Sequence, residues 1–226
     1  MYICNIKTER TMTKPSNWSD DYWLLLLQLY LRKPVGLKPT YCKPMVDLAM
    51  ELHIHPQVLF NKMCQIASLE TPRLERIWER YADNPRRLRR AVGLLREMKG
   101  YGNANEFYQG VEVNESFEKD FRPVSEHSAW TPVALILVLD LYFRLTPNTM
   151  VKETPEVQEL ARLLHMRSTD IVVVMDIYQH IDPYLNRHDV MFNDLFGPCA
   201  DIWRRFGDSD TESLSSFAKQ LKEYYG

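Results

Sequence analysis

The stretch 130-WTPVALILVLDLYFRL-145, followed by 155-PEVQELARLLHMRSTDIVVVMDIYQHIDP-183, decides the fold because an earlier stretch repeats it. Residues 18–71 align with residues 130–183 after a shift of 112 positions, with eleven identities in 54 aligned residues. Roughly three identities are expected from ordinary residue frequencies. The sequence therefore predicts a tandem duplication. The identical residues of the first copy are Trp18, Leu25, Leu27, Leu29, Tyr30, Arg32, Leu48, Ala49, Leu52, His53 and Met63.

Each copy opens with a helix that is apolar on nearly every side. In the first copy Ser19 is predicted to cap this helix, which continues through Leu31. In the second copy Thr131 is the predicted cap, with Pro132 at the first helical position. A helix that is apolar all round is stable only when it is buried. We therefore expect it to be the central element of each copy.

A pair of helices separated by a tight turn follows in both copies. The predicted pairs are Pro44–His53 with Gln57–Ala67, and Pro155–His165 with Thr169–His180. The β-branched run IVVVMDIY in the second copy would favour a strand if read alone. It aligns with LFNKMCQI of the first copy, which is typical of a helix. The repeat therefore predicts a helix in both places.

Two further helices complete each copy. Thr71 and Pro72 predict a fourth helix to about Tyr81, and Asn84 with Pro85 predicts a fifth to about Lys99. The second copy inserts about thirteen residues after Pro183 before IWRRF at 202–206 echoes IWERY at 77–81. We therefore expect an all-α, multihelical protein with two structural repeats of about five helices each. The predicted regions are an N-terminal extension at 1–17, a first repeat at 18–100, an acidic linker at 101–127 with a short helix near Asn114–Phe121, and a second repeat at 128–226.

Composition and the absence of known motifs exclude several classes of protein. No apolar run approaches the roughly 20 residues that cross a bilayer, and no secretory signal is recognisable, so we predict a cytoplasmic protein. Met1 and Met12 both remain candidate start sites. Four isolated cysteines, predicted to be reduced thiols, form neither a disulfide framework nor a metal knuckle. No catalytic or phosphate-binding motif is present, so we expect no enzymatic activity and no cofactor.

The helix pairs have the spacing of helix-turn-helix units. LARLLHM at 160–166 followed by Ile171 places apolar residues where such a unit needs them, and the first copy does the same. His53 and His165 stand at the turn where a glycine is expected. Two helices packed in a bundle give the same spacing without DNA binding. His53 and His55 are predicted to be capping or packed histidines and not metal ligands.

The order of these segments also resembles a known family. WTPVALILVLDLYFRL, PEVQELARLLHM, HIDP and IWRRF are similar to the helical region that precedes the nuclease domain in bacterial HNH endonuclease-like proteins. The resemblance covers about 18–81 and 130–206 and implies a region that helps to contact DNA. No HNH nuclease segment follows either copy, so nuclease activity is not implied. The chain is also similar to bacterial proteins of unknown function that are built from two such repeats.

Charge is divided unequally between the copies. Residues 18–105 carry 14 basic and 9 acidic side chains, a balance of +5, whereas residues 128–226 carry 9 and 14, a balance of −5. Arginines of the fourth and fifth predicted helices, together with a lysine of the third, are therefore the candidate nucleic-acid contacts. The candidates are Lys62, Arg73, Arg76, Arg80, Arg86, Arg87, Arg89 and Arg90, with Arg96 in the same basic cluster. Two alternatives remain: pairing with Glu75 and Glu79, or docking onto the acidic second copy.

The sequence thus predicts a non-catalytic helical repeat protein, DNA-associated or regulatory, that contacts phosphates through its first copy. The alternative is a protein interaction scaffold that does not bind nucleic acid and whose partner is an unidentified protein. An enzyme would require a deep pocket that gathers His53, His55 or tyrosines from both copies.

Overall fold

The computed structural model describes residues 18–99, 101, 117–126, 128–185, 187, 189 and 191–226. Over these residues the chain forms ten α-helices, two short 3-10 helices and no strand, so the predicted all-α class is confirmed. The first half contains α1 (Tyr22–Tyr30), α2 (Lys43–Leu52), α3 (Pro56–Ala67), α4 (Pro72–Tyr81) and α5 (Pro85–Glu97). A 3-10 helix at Phe117–Phe121, the linker helix, then leads to the second half. That half contains α6 (Pro132–Arg144), a 3-10 helix (Pro147–Thr149), α7 (Pro155–Leu163), α8 (Ser168–Ile181), α9 (Phe196–Phe206) and α10 (Thr211–Lys222).

Two predictions concern residues outside this description. The N-terminal extension at 1–17, with its two candidate start sites, is one of them. The other is the short helix predicted near Asn114–Phe121, which lies only partly outside. Its residues 114–116 are not described, and its remainder, Phe117–Phe121, forms the linker helix.

Capping chemistry sets most helix starts where the sequence predicts them. The side chain of Thr131 accepts a hydrogen bond from the amide of Ala134 at 3.2 Å, and Asn84 accepts one from Arg87 at 3.1 Å. Ser19 does not cap α1, because the chain makes one turn first and the N-cap is Asp21. The predicted helices otherwise agree with the observed bounds to within two residues.

The β-branched run of the second half is helical, as the repeat predicted. In α8 the buried residues Ile171, Val174, Met175 and Tyr178 follow helical spacing and line one face. The hydroxyl of Tyr178 donates a hydrogen bond to the carbonyl of Leu135 at 3.0 Å, so even the polar end of this ring is satisfied inside the core. Burial of one face therefore outweighs the local preference for a strand.

Each half is arranged around its first helix. α1 packs against α3, α4 and α5, and α6 packs against α7, α8, α9 and α10. One buried cluster surrounds α1 and draws on residues 23–95, and a second surrounds α6 and extends to Leu221. One aromatic contact is similar in the two halves: Tyr30 lies edge-on to Trp78 at 5.9 Å between ring centroids, and Tyr142 lies edge-on to Trp203 at 6.0 Å.

The two clusters meet along a seam formed by the linker helix and the start of α2. Phe117 packs against both clusters. Tyr41 and Val46 belong by sequence to the first half but pack with the second cluster, and the Tyr41 ring stacks on Phe121 at 6.2 Å. The edge of the same ring meets Phe217 at 5.8 Å. The halves are therefore joined by shared apolar side chains.

Charged groups of the linker helix tie it to both halves. The side chain of Glu118 is fully buried; its Oε1 lies 2.7 Å from Nδ1 of His53, and its Oε2 accepts a hydrogen bond from Arg122 at 2.6 Å. Asp120 accepts two hydrogen bonds from Arg205 of α9, both at 2.7 Å. A buried carboxylate needs such partners because desolvation of an unpaired charge is costly.

The turn of each helix pair uses a histidine in the left-handed conformation. His53 and His165 both have φ of 55°, and the following residue donates a backbone hydrogen bond to the carbonyl of Ala49 or Ala161, respectively. A glycine would adopt this conformation without a steric penalty. A histidine adopts it only with steric strain in the backbone. The two histidines differ in one respect, because His53 contacts Glu118 and His165 does not.

The same substitution at these two turns should therefore have opposite effects. His165 is exposed, so His165→Gly should raise the free energy of unfolding by up to about 1 kcal/mol through relief of backbone strain. His53→Gly should lower it by about 1 to 3 kcal/mol, because the buried Glu118 loses a hydrogen-bond partner. Urea denaturation of both variants measures the difference. Equal changes at the two positions would contradict the role assigned to Glu118.

Candidate nucleic-acid interface

Helix α4 separates its charges by sign. Its buried residue is Leu74, and Arg73, Arg76 and Arg80 follow at spacings of three and four along one exposed flank. The acidic residues of the helix, Glu75 and Glu79, fall on the opposite flank by the same geometry. The three arginines therefore form a continuous basic stripe.

Helix α5 continues the basic surface on the next element. Leu88, Val92 and Leu95 face the core of the first half. The outward positions of its first two turns are arginines, all of them exposed. We call the combined exposed set the arginine surface: Arg73, Arg76, Arg80, Arg86, Arg87, Arg89 and Arg90.

An aromatic ring joins the two helices at this surface. The guanidinium carbon of Arg80 lies 5.7 Å from the centroid of the Tyr81 ring, and that of Arg87 lies 5.6 Å from the same centroid. Contacts of this kind attract a cation to the ring face and hold it in place. Tyr81 was not among the predicted site residues, although its position between Arg80 and the Asn84–Pro85 start of the next helix was the available signal.

Few carboxylates pair with the arginines of the arginine surface. Arg73 pairs with Asp20 at 2.5 Å, and both side chains are about half exposed or more. Within the described part of the chain, no carboxylate pairs with any of the other six arginines. Neither alternative suggested by the sequence, pairing with Glu75 and Glu79 or burial against the second half, is therefore seen for these side chains.

Arg96 belongs to a different arrangement. Its guanidinium donates two hydrogen bonds to Glu51 of α2, at 2.6 and 2.9 Å, and the hydroxyl of Tyr101 also donates to this carboxylate. Partial burial raises the pKa of Glu51, but the hydrogen bonds from Arg96 and Tyr101 outweigh burial and leave the pKa below its ordinary value. Arg96 thus connects α5 to α2 and is not part of the arginine surface.

Lys62 is also engaged with its own half. Its ammonium lies 5.2 Å from the ring centroid of Trp18 and 5.1 Å from that of Trp23. The other polar residues predicted on α3, Gln57 and Asn61, are exposed and joined by a hydrogen bond of 3.2 Å. Helix α3 therefore offers few free groups for reading base edges.

His55 is predicted to be a capping or packed histidine, and the structure gives it both kinds of contact. The Nδ1 atom of His55 accepts the amide of Gln57 at 3.1 Å, which caps α3 as predicted, and its ring meets Phe117 at 5.3 Å. Burial lowers the pKa of His55, with Asp120 opposing the shift. Among the residues that the structure describes, no three metal-type ligands come together.

The chain matches no protein-family model, no curated protein and no solved structure. None of the described helices combines the length and apolar character that a bilayer crossing demands.

Removal of the Glu51 charge should destabilise the first half. We expect Glu51→Gln to lower the free energy of unfolding at pH 7 by about 1 kcal/mol, because the partly exposed pair with Arg96 is screened by solvent. The pKa of Glu51 is lower in the folded protein than its ordinary value of 4.5, which applies to the unfolded chain. The native protein should therefore exceed Glu51→Gln in stability by the full amount above pH 4.5, and this difference should disappear as the pH falls through the folded-state pKa.

Thermal or urea unfolding between pH 3 and 7 measures this difference. Glu75→Gln is the matched control, because Glu75 is exposed on α4 and has no ion-pair partner among the described residues. Glu75→Gln should keep the pH dependence of the native protein, and a difference from the native protein that changes with pH as much in Glu75→Gln as in Glu51→Gln would contradict the assignment.

Proposed function

We propose that the first half binds the phosphate backbone of DNA through the arginine surface. The observation that carries the proposal is the set of seven exposed arginines on two adjacent helices, of which only Arg73 has a carboxylate partner within the described residues. Each guanidinium presents five donors in a fork that fits phosphate oxygens, and it keeps its charge at every physiological pH.

The spacing of the arginines suits successive phosphates. From Arg73 to Arg80 the α-helix rises about 10 Å at 1.5 Å per residue. This length matches roughly three phosphates of one B-DNA strand, counted at 3.4 Å of rise along the DNA axis for each phosphate. Helix α5 adds Arg86, Arg87 and Arg90 beside this stripe, and the ring of Tyr81 holds Arg80 and Arg87 near one another. The surface is therefore suited to phosphates of a duplex.

The binding should be largely independent of base sequence. Phosphate contacts fix position but do not read sequence. On α3, which corresponds to the recognition helix of a helix-turn-helix unit, Lys62 packs on tryptophan rings, and Gln57 donates a hydrogen bond to Asn61. The corresponding turn of α8 offers Val173, which is exposed and apolar. We therefore propose a DNA-associated module that lacks catalytic activity and whose base readout is minimal.

We also propose that the two halves are copies of one five-helix unit with a helix-turn-helix-like pair at its centre. The matching order of helices, the left-handed histidines at both turns and the equivalent Tyr–Trp contacts support this origin. The unit is the part of the chain that resembles the DNA-contacting region of HNH endonuclease-like proteins. The second half, with its negative balance, would have kept the packing and lost the basic surface.

A protein interaction scaffold remains the second candidate. The segment between α8 and α9, which has no counterpart in the first half, exposes Tyr184 by 88% and Phe192 by 94%. Aromatic side chains this exposed are common in protein interfaces.

The primary test is titration of the intact protein into a labelled 20-base-pair duplex, followed by fluorescence anisotropy. We expect a micromolar Kd near 50 mM salt that weakens about 100- to 1,000-fold at 200 mM, since some five phosphates are neutralised. The variant with Arg86, Arg87, Arg89 and Arg90 changed to alanine should bind at least tenfold more weakly. A variant with Arg162, Arg167 and Arg204 of the second half changed to alanine is the control. Absence of binding at low salt would reject the proposal and favour the scaffold.

The role of Tyr81 can be tested in the same assay. Tyr81→Leu should weaken DNA binding about three- to fivefold, because Arg80 and Arg87 lose the ring that positions them. Tyr81→Phe keeps the ring and should bind like the native protein. Circular dichroism checks that both variants retain the helical fold. Equal loss in the two variants would show that the ring does not position the arginines.

A further inference from the structure

A second basic site lies where the linker helix meets the second half. There a cavity of about 330 Å³ opens between the linker helix, the start of α6 and α9. Val124, Pro132 and Ile202 are among its apolar lining residues. Three cationic side chains also line it: Lys119, Arg122 and Arg205. The cavity is at the small end of the range typical of sites for small organic molecules.

Both arginines of the cavity are held in place by carboxylates behind them. Arg122 donates to the buried Glu118 at 2.6 Å, and Arg205 donates two hydrogen bonds to Asp120 at 2.7 Å each. Their side chains are still 47% and 43% exposed, and each guanidinium has five donors, so donors remain for a ligand. An arginine fixed in this way binds an anion with less loss of side-chain entropy.

The local charge of the cavity favours an anion. Lys119 is exposed and, within the described ranges, has no ion-pair partner. The acidic residue that lines the cavity is Asp201, and it is already paired with Arg204 at 3.0 Å. Pro132, the first residue of α6, also lines the cavity, so the positive end of that helix lies beside it.

We propose that this cavity binds a small organic phosphate, with the phosphate among Lys119, Arg122 and Arg205 and the organic group on the apolar lining. Two guanidinium forks and one ammonium offer more donors than the two oxygens of a carboxylate can accept, whereas a phosphate presents three oxygens to them. The apolar side chains add affinity for an organic group that inorganic phosphate lacks. The site is distinct from the arginine surface, because it is built from the linker helix and the second half.

The experiment titrates phenyl phosphate into the intact protein and follows binding by calorimetry and by amide chemical shifts. We expect a Kd below about 1 mM, with inorganic phosphate, benzoate and phenol each at least fivefold weaker. Lys119→Met should weaken phenyl phosphate binding about tenfold, since it removes an exposed cation without disturbing an ion pair among the described residues. Arg205→Lys, which keeps the charge but loses the paired geometry, should also weaken it.

Lys219→Met is the matched control, because Lys219 is exposed on α10 and does not line the cavity. Absence of phenyl phosphate binding would overturn the proposal, and so would unchanged affinity in both Lys119→Met and Arg205→Lys. Benzoate binding as tightly as phenyl phosphate would show that the site does not select a phosphate. Because the arginine surface is untouched in these variants, their DNA binding should equal that of the native protein, which separates this proposal from the preceding one.

Discussion

Burial of one almost entirely apolar helix is the constraint on which the second half depends. Every residue of α6 from Pro132 to Tyr142 is buried, whereas α1 buries five of its nine residues. Burial of each aliphatic side chain contributes about 1.5 to 3 kcal/mol, so such a helix is stable only inside a shell of other helices. Asp140 is the charged residue in this buried stretch, and Arg144, one turn later in the same helix, neutralises it at 2.9 Å. The four helices packed around α6 are therefore a requirement of its composition.

This arrangement leaves the outer helices free to vary in charge. In α4 the buried residue is Leu74, and α5 buries three residues on one face. Ile77 and Trp78 of α4 also pack partly against this core, but the exposed positions of both helices carry no packing constraint, so arginines can accumulate there without loss of the core. The same freedom in the second half produced acidic residues instead. Architecture and surface chemistry are thus set by different residues, which is why a shared pattern of buried side chains says little about shared function.

Much of the fold was predictable because it depends on local rules. Thr131 and Asn84 cap helices as their types and the following prolines indicate, and the repeat correctly overruled the β-branched run of α8. Long-range partners were not predictable. The pairing of Arg96 with Glu51 and the packing of Lys62 on two tryptophans join residues far apart in sequence. The basic cavity was hidden for the same reason, since its cations belong to an acidic linker and to α9.

The shared seam has a practical consequence for dissecting the protein. Tyr41 and Val46 precede the second half by about ninety residues, yet Val46 is completely buried in its cluster and Tyr41 stacks on Phe121. A fragment that starts at the linker would expose Phe121 and the part of the second cluster that Tyr41 and Val46 cover. A fragment that ends before the linker would expose Tyr41 and Val46 themselves. Either truncated product would expose an apolar face to solvent, so we expect neither half to be stable when it is produced alone.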